Sequence, residues 1–121
     1  MTKLLRKRFR CMKKNKDIIL VKHILDAIVD IEEFTSDKDF SDFQNDKLLQ
    51  NGVVREFMII GEASANLSNS FQEEHSKIPF YKIIGMRNVM VHAYWQIDEQ
   101  VVWDAYKNDL PELKEALLKI T

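Results

Sequence analysis

Apolar residues recur every three or four positions along several stretches of the chain, which is the pattern of amphipathic helices. The clearest stretch is Asp17–Phe34, where acidic residues lie on the side opposite the apolar stripe. The segment Thr35–Asp42 that follows is polar and rich in helix-capping residues, so the first helix is predicted to end there. The stripe consists of Val21, Ile24, Leu25, Ile28 and Ile31.

A second helix is predicted from Ser41 or Asp42 to about Ser68, with Gly52 as a point where it could kink. Small residues are concentrated in its second half. Because small residues let a neighbouring backbone come close, this part is predicted to form a tight helix–helix crossing. The small residues are Gly61, Ala63, Ser64 and Ala65.

The second half of the chain continues the helical pattern. Residues 69–77 are polar and are predicted to form a loop or a short helix, and Pro79 favours a helix start. The remaining predicted elements are a third helix over Pro79–His92, a break over Ala93–Asp98, a fourth helix over Asp98–Tyr106 and a last helix from Asn108–Pro111 onward. The last helix carries the stripe Leu113, Ala116, Leu117 and Ile120. The predicted fold class is an all-α antiparallel bundle of four to five helices.

Charge divides the 121 residues into two regions. Eight of the 18 Lys and Arg residues lie within residues 1–16, and all 19 acidic residues come at or after Asp17. The basic segment has three interpretations: a nucleic-acid-binding arm, a signal peptide, or a stretch that precedes a natural start at Met12. The signal peptide fails because no apolar run of about 7–15 residues follows the charges. We therefore predict a basic extension over residues 1–16 and one helical domain over residues 17–121. Under the third interpretation, the residues before Met12 are not native.

Two other features of composition bear on where the protein is located. No apolar run approaches the roughly 18–20 residues that cross a bilayer, so no membrane partner is expected. The one cysteine, Cys11, cannot form an internal disulfide, so nothing points to secretion, and a cytoplasmic location is expected.

Four polar residues stand in an apolar context at the end of the third predicted helix and just after it: Arg87, Asn88, His92 and Tyr94. On a regular helix Asn88 and His92 share a face, whereas Arg87 and His92 are separated by about 140° of rotation. An extended chain after His92 would place His92 and Tyr94 on the same side.

These residue types suit chemistry at a phosphate. An imidazole can transfer a proton near neutral pH, and a guanidinium can bind a phosphate through two parallel hydrogen bonds. RNA supplies its own nucleophile, the 2′-hydroxyl group, so no metal is needed, and the three scattered histidines form no metal-binding motif. Structural interpretations stay open for each residue: His92 as a cap or core residue, and Arg87 as one half of a surface ion pair.

Two further residues have open interpretations. Glu62 is flanked by small residues and is either a solvated carboxylate or the partner of Arg55 or Arg87. Trp95 is either a core or interface residue or a platform on which a base stacks.

Several blocks in order resemble a known family. Ile59-Ile-Gly-Glu-Ala-Ser, Ile84-Gly-Met-Arg-Asn-Val-Met-Val-His-Ala-Tyr and Asp109-Leu-Pro resemble the HepT toxins of the HEPN superfamily, over about Asp17 to Ile120. The resemblance implies the toxin half of a type VII toxin–antitoxin module, whose antitoxin partner is the nucleotidyltransferase MntA. It implies a homodimeric, metal-independent endoribonuclease without a cofactor.

The resemblance also implies residue roles. Arg87 and His92 match the ribonuclease pair of the Arg-x4-His-x-Tyr motif, Asn88 matches the polar residue beside the arginine, and Tyr94 matches the tyrosine that the antitoxin modifies with AMP. Two alternatives remain: a non-catalytic helical module that presents a nucleotide or substrate to a nucleotidyltransferase, and a structural bundle in which Arg87 pairs with His92.

Overall fold

The computed structural model describes the backbone of residues 2–121 and the side chains of residues 2–3 and 15–121. Over this part of the chain every regular element is helical and no strand occurs, which confirms the all-α class. No helix in the described part is long and apolar enough to cross a membrane. The elements are α1 (Lys3–Phe34), α2 (Phe40–Asn45), α3 (Lys47–Asn66), α4 (Asn69–Glu74), α5 (Phe80–His92), a 3₁₀ turn (Tyr94–Gln96), α6 (Glu99–Asp104), a π-helical segment (Ala105–Asp109) and α7 (Leu110–Ile120).

Helix α1 ends near Phe34 as predicted, and it begins at Lys3, well before the amphipathic stretch that starts at Asp17. Residues 3–16 contain no glycine or proline and consist mainly of lysine, arginine, leucine and methionine, which are good helix formers. A helix can therefore extend beyond the stripe that packs on the core. Most of the predicted basic extension lies outside the described side chains, namely Arg6, Lys7, Arg8, Arg10, Lys13 and Lys14, together with Cys11 and Met12.

The second predicted helix is two helices, because the chain breaks at Asp46 and not at Gly52. Asp46 ends α2 with an extended backbone, and its side chain accepts a hydrogen bond of 3.1 Å from the amide of Leu49 in α3. An aspartate competes in this way for backbone donors and so favours a cap over a helix interior. Gly52 lies inside α3.

The central layer is α3, which packs on α1 on one side and α5 on the other. Asp17 near the α1 midpoint contacts Ser68 after α3, while Gly52 near the start of α3 lies beside Phe34 at the end of α1, so the two helices are antiparallel. The predicted α1 stripe is confirmed: Val21, Ile24, Ile28 and Ile31 are buried and Leu25 packs on the core as a half-buried residue.

A buried carboxylate pins the junction that follows α3. Asp17 is buried and accepts hydrogen bonds from the Ser68 amide at 2.8 Å and the Ser68 hydroxyl at 2.6 Å. The same hydroxyl oxygen accepts a hydrogen bond of 3.1 Å from the amide of Phe71, which caps α4. Buried charges are tolerated when they are hydrogen-bonded in this way, and this one fixes the end of α3 relative to α1.

The fourth and last predicted helices are not separate. The backbone stays helical from Glu99 to Ile120, and a wider π turn over Ala105–Asp109 joins them. Within it the amide of Leu110 donates to the carbonyl of Ala105, five residues earlier. Pro111, which has no N–H and whose ring would crowd a regular helix interior, comes directly after this turn, so the widened turn accommodates it. The stripe of α7 is confirmed, since Leu113 and Leu117 are buried.

The interface between α1 and α3 contains two facing carboxyl groups, Asp30 and Glu56. Burial raises the pKa of Glu56, the nearby Asp30 carboxylate raises it further, and Arg55 acts in the opposite direction. The folded state therefore binds a proton at Glu56 more tightly than the unfolded chain does. The stabilisation that comes from this bound proton is complete when the pH is below the pKa of Glu56 in the unfolded chain. It is lost as the pH rises through the pKa of Glu56 in the folded chain.

We accordingly expect Glu56→Gln to raise the melting temperature at pH 7, because the amide removes the repulsion with Asp30 while keeping the shape. The gain should shrink as the pH falls towards the ordinary glutamate pKa of about 4.3. Thermal melts from pH 4 to 8 measure this, with the exposed Glu73→Gln on α4 as the matched control. Equal melting temperatures for Glu56→Gln and the parent chain at pH 7 would contradict the assignment.

Candidate active site

Arg87 lies on the face of α5 that packs against α3, and its side chain is only 18% exposed. One terminal nitrogen, Nη1, donates a hydrogen bond to Oε2 of Glu62, forming an ion pair between α5 and α3. The sequence left Glu62 between a solvated carboxylate and a partner of Arg55 or Arg87, and the structure pairs it with Arg87. This contact holds the Nη1 end of the guanidinium on the Glu62 side.

The Nε atom of Arg87 is buried and has no hydrogen-bond partner among the described residues. Buried donors are nearly always paired, so a buried donor without a partner marks a place where a ligand atom or a water completes the bonding. Arg87 thus binds Glu62 through Nη1, and its Nε atom can still donate a hydrogen bond to a ligand.

Gly61 explains how Arg87 comes so close to α3. A Cβ atom at Gly61 would lie 3.3 Å from the carbonyl oxygen of Ile83 and would overlap the Cβ and Cγ atoms of Arg87. Glycine is thus required for this close approach of the two backbones. The tight crossing predicted from the small residues of this segment is confirmed.

His92 and Asn88 lie on the outer side of α5. Both are exposed, and neither makes a side-chain hydrogen bond to any described residue. His92 is the last residue of the helix, whose end is closed by the bond from the Ala93 amide to the Val89 carbonyl at 2.8 Å. His92 is therefore neither a core residue nor a partner of Arg87 in this chain. Its imidazole is free to exchange protons with a ligand.

Tyr94 begins the 3₁₀ turn after α5 and is 70% exposed. The extended chain considered after His92 does not occur, because the hydrogen bond from the Gln96 amide to the Ala93 carbonyl closes a turn. Trp95 is 68% exposed and meets Tyr94 edge-on, with 5.5 Å between ring centroids. Trp95 is therefore not a core residue, which leaves the interface and stacking interpretations.

Helix α5 thus presents three of the four motif residues in two directions, and the fourth, Tyr94, lies in the 3₁₀ turn that follows it. Arg87 faces α3, while Asn88 and His92 face outward, in line with the 140° expected from helical rotation. Across the part of the chain that the structure describes, no group of three or more His, Cys, Asp or Glu side chains is placed to hold a metal ion.

The family model for HepT-like ribonucleases matches residues 24–120, which include every motif residue. This chain belongs to the HepT-like ribonuclease family. The resemblance inferred from the motif blocks is confirmed, and with it the assignment to a family of ribonucleases.

Curated relatives of this HepT-like chain carry ribonuclease names. The protein named "Probable ribonuclease HepT" of Thermococcus cleftensis is 43% identical over 97 residues, which cover 80% of this chain and 88% of that protein. A "Putative RNase" of Methanocaldococcus jannaschii is 38% identical over 92 residues, covering 76% of this chain and 84% of that protein.

A further Methanocaldococcus jannaschii relative, named "Gamma-glutamylcyclotransferase and putative RNase", is 42% identical over 106 residues, covering 87% of this HepT-like chain. The match spans only 48% of that protein, so the chain corresponds to about half of its length. No solved structure matches the chain.

Proposed function

We propose that the chain is a metal-independent endoribonuclease and the toxin of a type VII toxin–antitoxin pair. One observation carries the proposal: Arg87 is clamped by Glu62 with its buried Nε unpartnered, on the same helix as an unpaired, exposed His92. A fixed guanidinium binds a phosphate, and a free imidazole transfers protons. Family membership supplies RNA as the substrate class.

The reaction is an internal transfer at phosphorus. The 2′-oxygen of a ribose attacks the adjacent phosphorus atom, the bond from phosphorus to the 5′-oxygen breaks, and a 2′,3′-cyclic phosphate forms. The 2′-hydroxyl proton passes to a base, and the leaving 5′-oxygen takes a proton from an acid. His92 serves as one of these groups, Arg87 stabilises the charge on the phosphate oxygens, and Asn88 supports the site beside them.

A homodimer solves the problem that Arg87 and His92 face different directions. Two copies that meet along α5 bring two motifs to one cleft, so the arginine of one copy and the histidine of the other can act together. The outer face of α5 favours such an interface, because it exposes the apolar side chains of Tyr81, Val89 and Val91.

The switch we propose is adenylylation of Tyr94 by a partner nucleotidyltransferase of the MntA type. The phenol oxygen of Tyr94 attacks the α-phosphorus of ATP, pyrophosphate leaves, and the phenol proton passes to a base on the partner. The ring is accessible to such a partner because it is 70% exposed. The attached phosphodiester adds negative charge two residues after His92, where it competes with RNA for Arg87 and repels the RNA backbone.

Cleavage of RNA by the purified chain, with and without EDTA, tests the proposed activity. Fragments should end in 2′,3′-cyclic phosphate and 5′-hydroxyl groups, and the rate should not change with EDTA, because the nucleophile belongs to the RNA. Mass spectrometry of the fragments identifies both ends. A need for an added divalent cation, or 5′-phosphate ends, would overturn the mechanism.

Intact mass of the chain co-expressed with its neighbouring gene tests the switch separately. One or more added adenylyl groups that map to Tyr94 are the expected result. A stable complex of unmodified, non-toxic chain with a nucleotidyltransferase would instead favour the non-catalytic module.

A further inference from the structure

A cleft of about 310 Å³ lies beside Tyr94, between α3, the 3₁₀ turn and α6. Ligand sites start at about this size, and most combine an apolar lining with a few placed polar groups. This cleft combines apolar and polar lining in similar shares. Its apolar floor is formed by Val54, Met58, Met90 and Ile97, and its polar groups are Gln50, Asn51 and Glu99.

Gln50 presents a fixed hydrogen-bond acceptor. Its amide nitrogen donates to the carbonyl oxygens of Phe43 and Gln44, each at 2.9 Å, so the donors of this side chain are already used. Its Oε1 atom makes no hydrogen bond to the described residues and remains an acceptor, and the residue lines the cleft. The amide group is held by two backbone oxygens and so keeps this orientation.

The other two polar groups complete a pattern suited to a neutral, flat ligand. Asn51 makes no side-chain hydrogen bond to the described residues, so it offers both donors and an acceptor. Glu99, in the first turn of α6, adds a carboxylate acceptor. None of the described side chains that line the cleft is cationic, and a carboxylate repels phosphate, so the occupant is not a phosphate group.

The cleft lies along the same two helices, α3 and α5, that hold the Glu62–Arg87 pair. Met58 lies one helical turn before Glu62 on α3, and Met90 lies about one turn after Arg87 on α5. Tyr94, one turn further along, lines the cleft itself. A nucleotide can therefore place its phosphate towards Arg87 and its base in the cleft, with the aromatic ring of Tyr94 beside the base.

We propose that this cleft is a nucleobase-binding site that prefers bases with an exocyclic amino group. Two of its polar groups are pure acceptors, so the base must donate, and the amino groups of adenine and cytosine are such donors. Carboxamides such as Asn51 pair with an adenine edge through two hydrogen bonds. The proposal rests on the proposed function for its two sources of ligand: a base of the RNA substrate, or the adenine that is attached to Tyr94.

Titration of the full isotope-labelled chain with AMP, followed by NMR, tests the site without any RNA cleavage. AMP should shift the side-chain amide resonances of Asn51 and the ring resonances of Tyr94. Ribose 5-phosphate, which has no base, should leave the Asn51 amide unshifted, and UMP, whose base donates only through its ring N3–H, should shift it less than AMP does. Asn51→Leu should weaken AMP binding about tenfold, because it removes the two hydrogen bonds to the adenine edge.

The matched control is Asn69→Leu, at an exposed position at the start of α4, and this variant should bind AMP as the parent chain does. An unshifted Asn51 amide together with unchanged AMP affinity in Asn51→Leu overturns the site, whether or not the chain cleaves RNA. A failure of cleavage with a normal AMP titration overturns the proposed function alone.

Two further measurements distinguish whether the base comes from the RNA substrate or from the adenylyl group on Tyr94. If RNA supplies it, Asn51→Leu changes the base preference next to the cut. If the adenylyl group supplies it, the chain modified at Tyr94 shows the Asn51 shift without added AMP. The absence of both effects would overturn the role of the cleft in this system.

Discussion

His92→Ala should lower the rate of RNA cleavage by at least about a hundredfold, because general acid–base catalysis contributes roughly 10²–10⁴-fold to such reactions. Stability should stay within about 0.5 kcal/mol of the parent, because the imidazole is exposed and has no side-chain hydrogen bond to lose. Cleavage of a labelled RNA and thermal melts of the same preparation measure both quantities. Cells that express the variant alone should also grow normally.

His23→Ala is the matched control, since His23 is an exposed histidine on α1, away from the motif. It should cleave RNA at the parent rate, which also guards against a contaminating ribonuclease. Equal activity of His92→Ala and His23→Ala would remove His92 from the mechanism. The His92 variant should still accept an adenylyl group at Tyr94, so acceptor function and catalysis can be measured apart.

The second large effect is expected at Gly61. Gly61→Ala places a methyl group against the Arg87 side chain and near the Ile83 carbonyl oxygen, so α3 and α5 must move apart. Overpacking of this kind costs about 1–3 kcal/mol, which outweighs the gain of up to about 1 kcal/mol in helix propensity. Chemical denaturation measures the loss. RNA cleavage should fall further than the folded fraction does, because displacement of a positioned group by about 1 Å can cost a hundredfold in rate.

Gly85→Ala provides the comparison on the neighbouring helix. A Cβ atom there meets nothing within 4 Å, so this variant should gain about 0.5–1 kcal/mol from the loss of backbone freedom in the unfolded chain. The two substitutions are chemically identical and differ only in what surrounds the new methyl group. If both variants had equal stability and activity, the close crossing at Gly61 would not be what positions Arg87.

Helix α5 illustrates what the sequence could predict. The Pro79 boundary, the end at His92 and the separation of Arg87 from His92 all follow from local rules of proline placement and helical rotation. The stripes of α1 and α7 were predictable for a similar reason, because an amphipathic period records which side of a helix is buried.

Features that depend on tertiary contact were not predictable in the same way. The Glu62–Arg87 pair joins residues 25 positions apart, and nothing local distinguishes Arg87 from Arg55 as its partner. The contribution of Gln50 and Asn51 to the cleft at Tyr94 gives no sequence signal at all, because α3 and the 3₁₀ turn meet only in the folded chain. The break at Asp46 was not predicted, because Gly52 was the only weak point that the pattern suggested in this helix; the Asp46 side chain instead caps the start of α3.

The π turn before α7 also bears on how this family can change in length. A π turn holds one residue more than the α-helical turn that it replaces, so losing that residue would leave the buried faces of α6 and α7 in register. In α1 or α3, the loss of one residue would turn every later side chain by about 100°. Pro111 opposes the shortening here, because it would then lie inside a regular helix at a cost of about 3 kcal/mol. Evolutionary deletion at this point is therefore tied to the loss of the proline, and the two changes should occur together in shorter relatives.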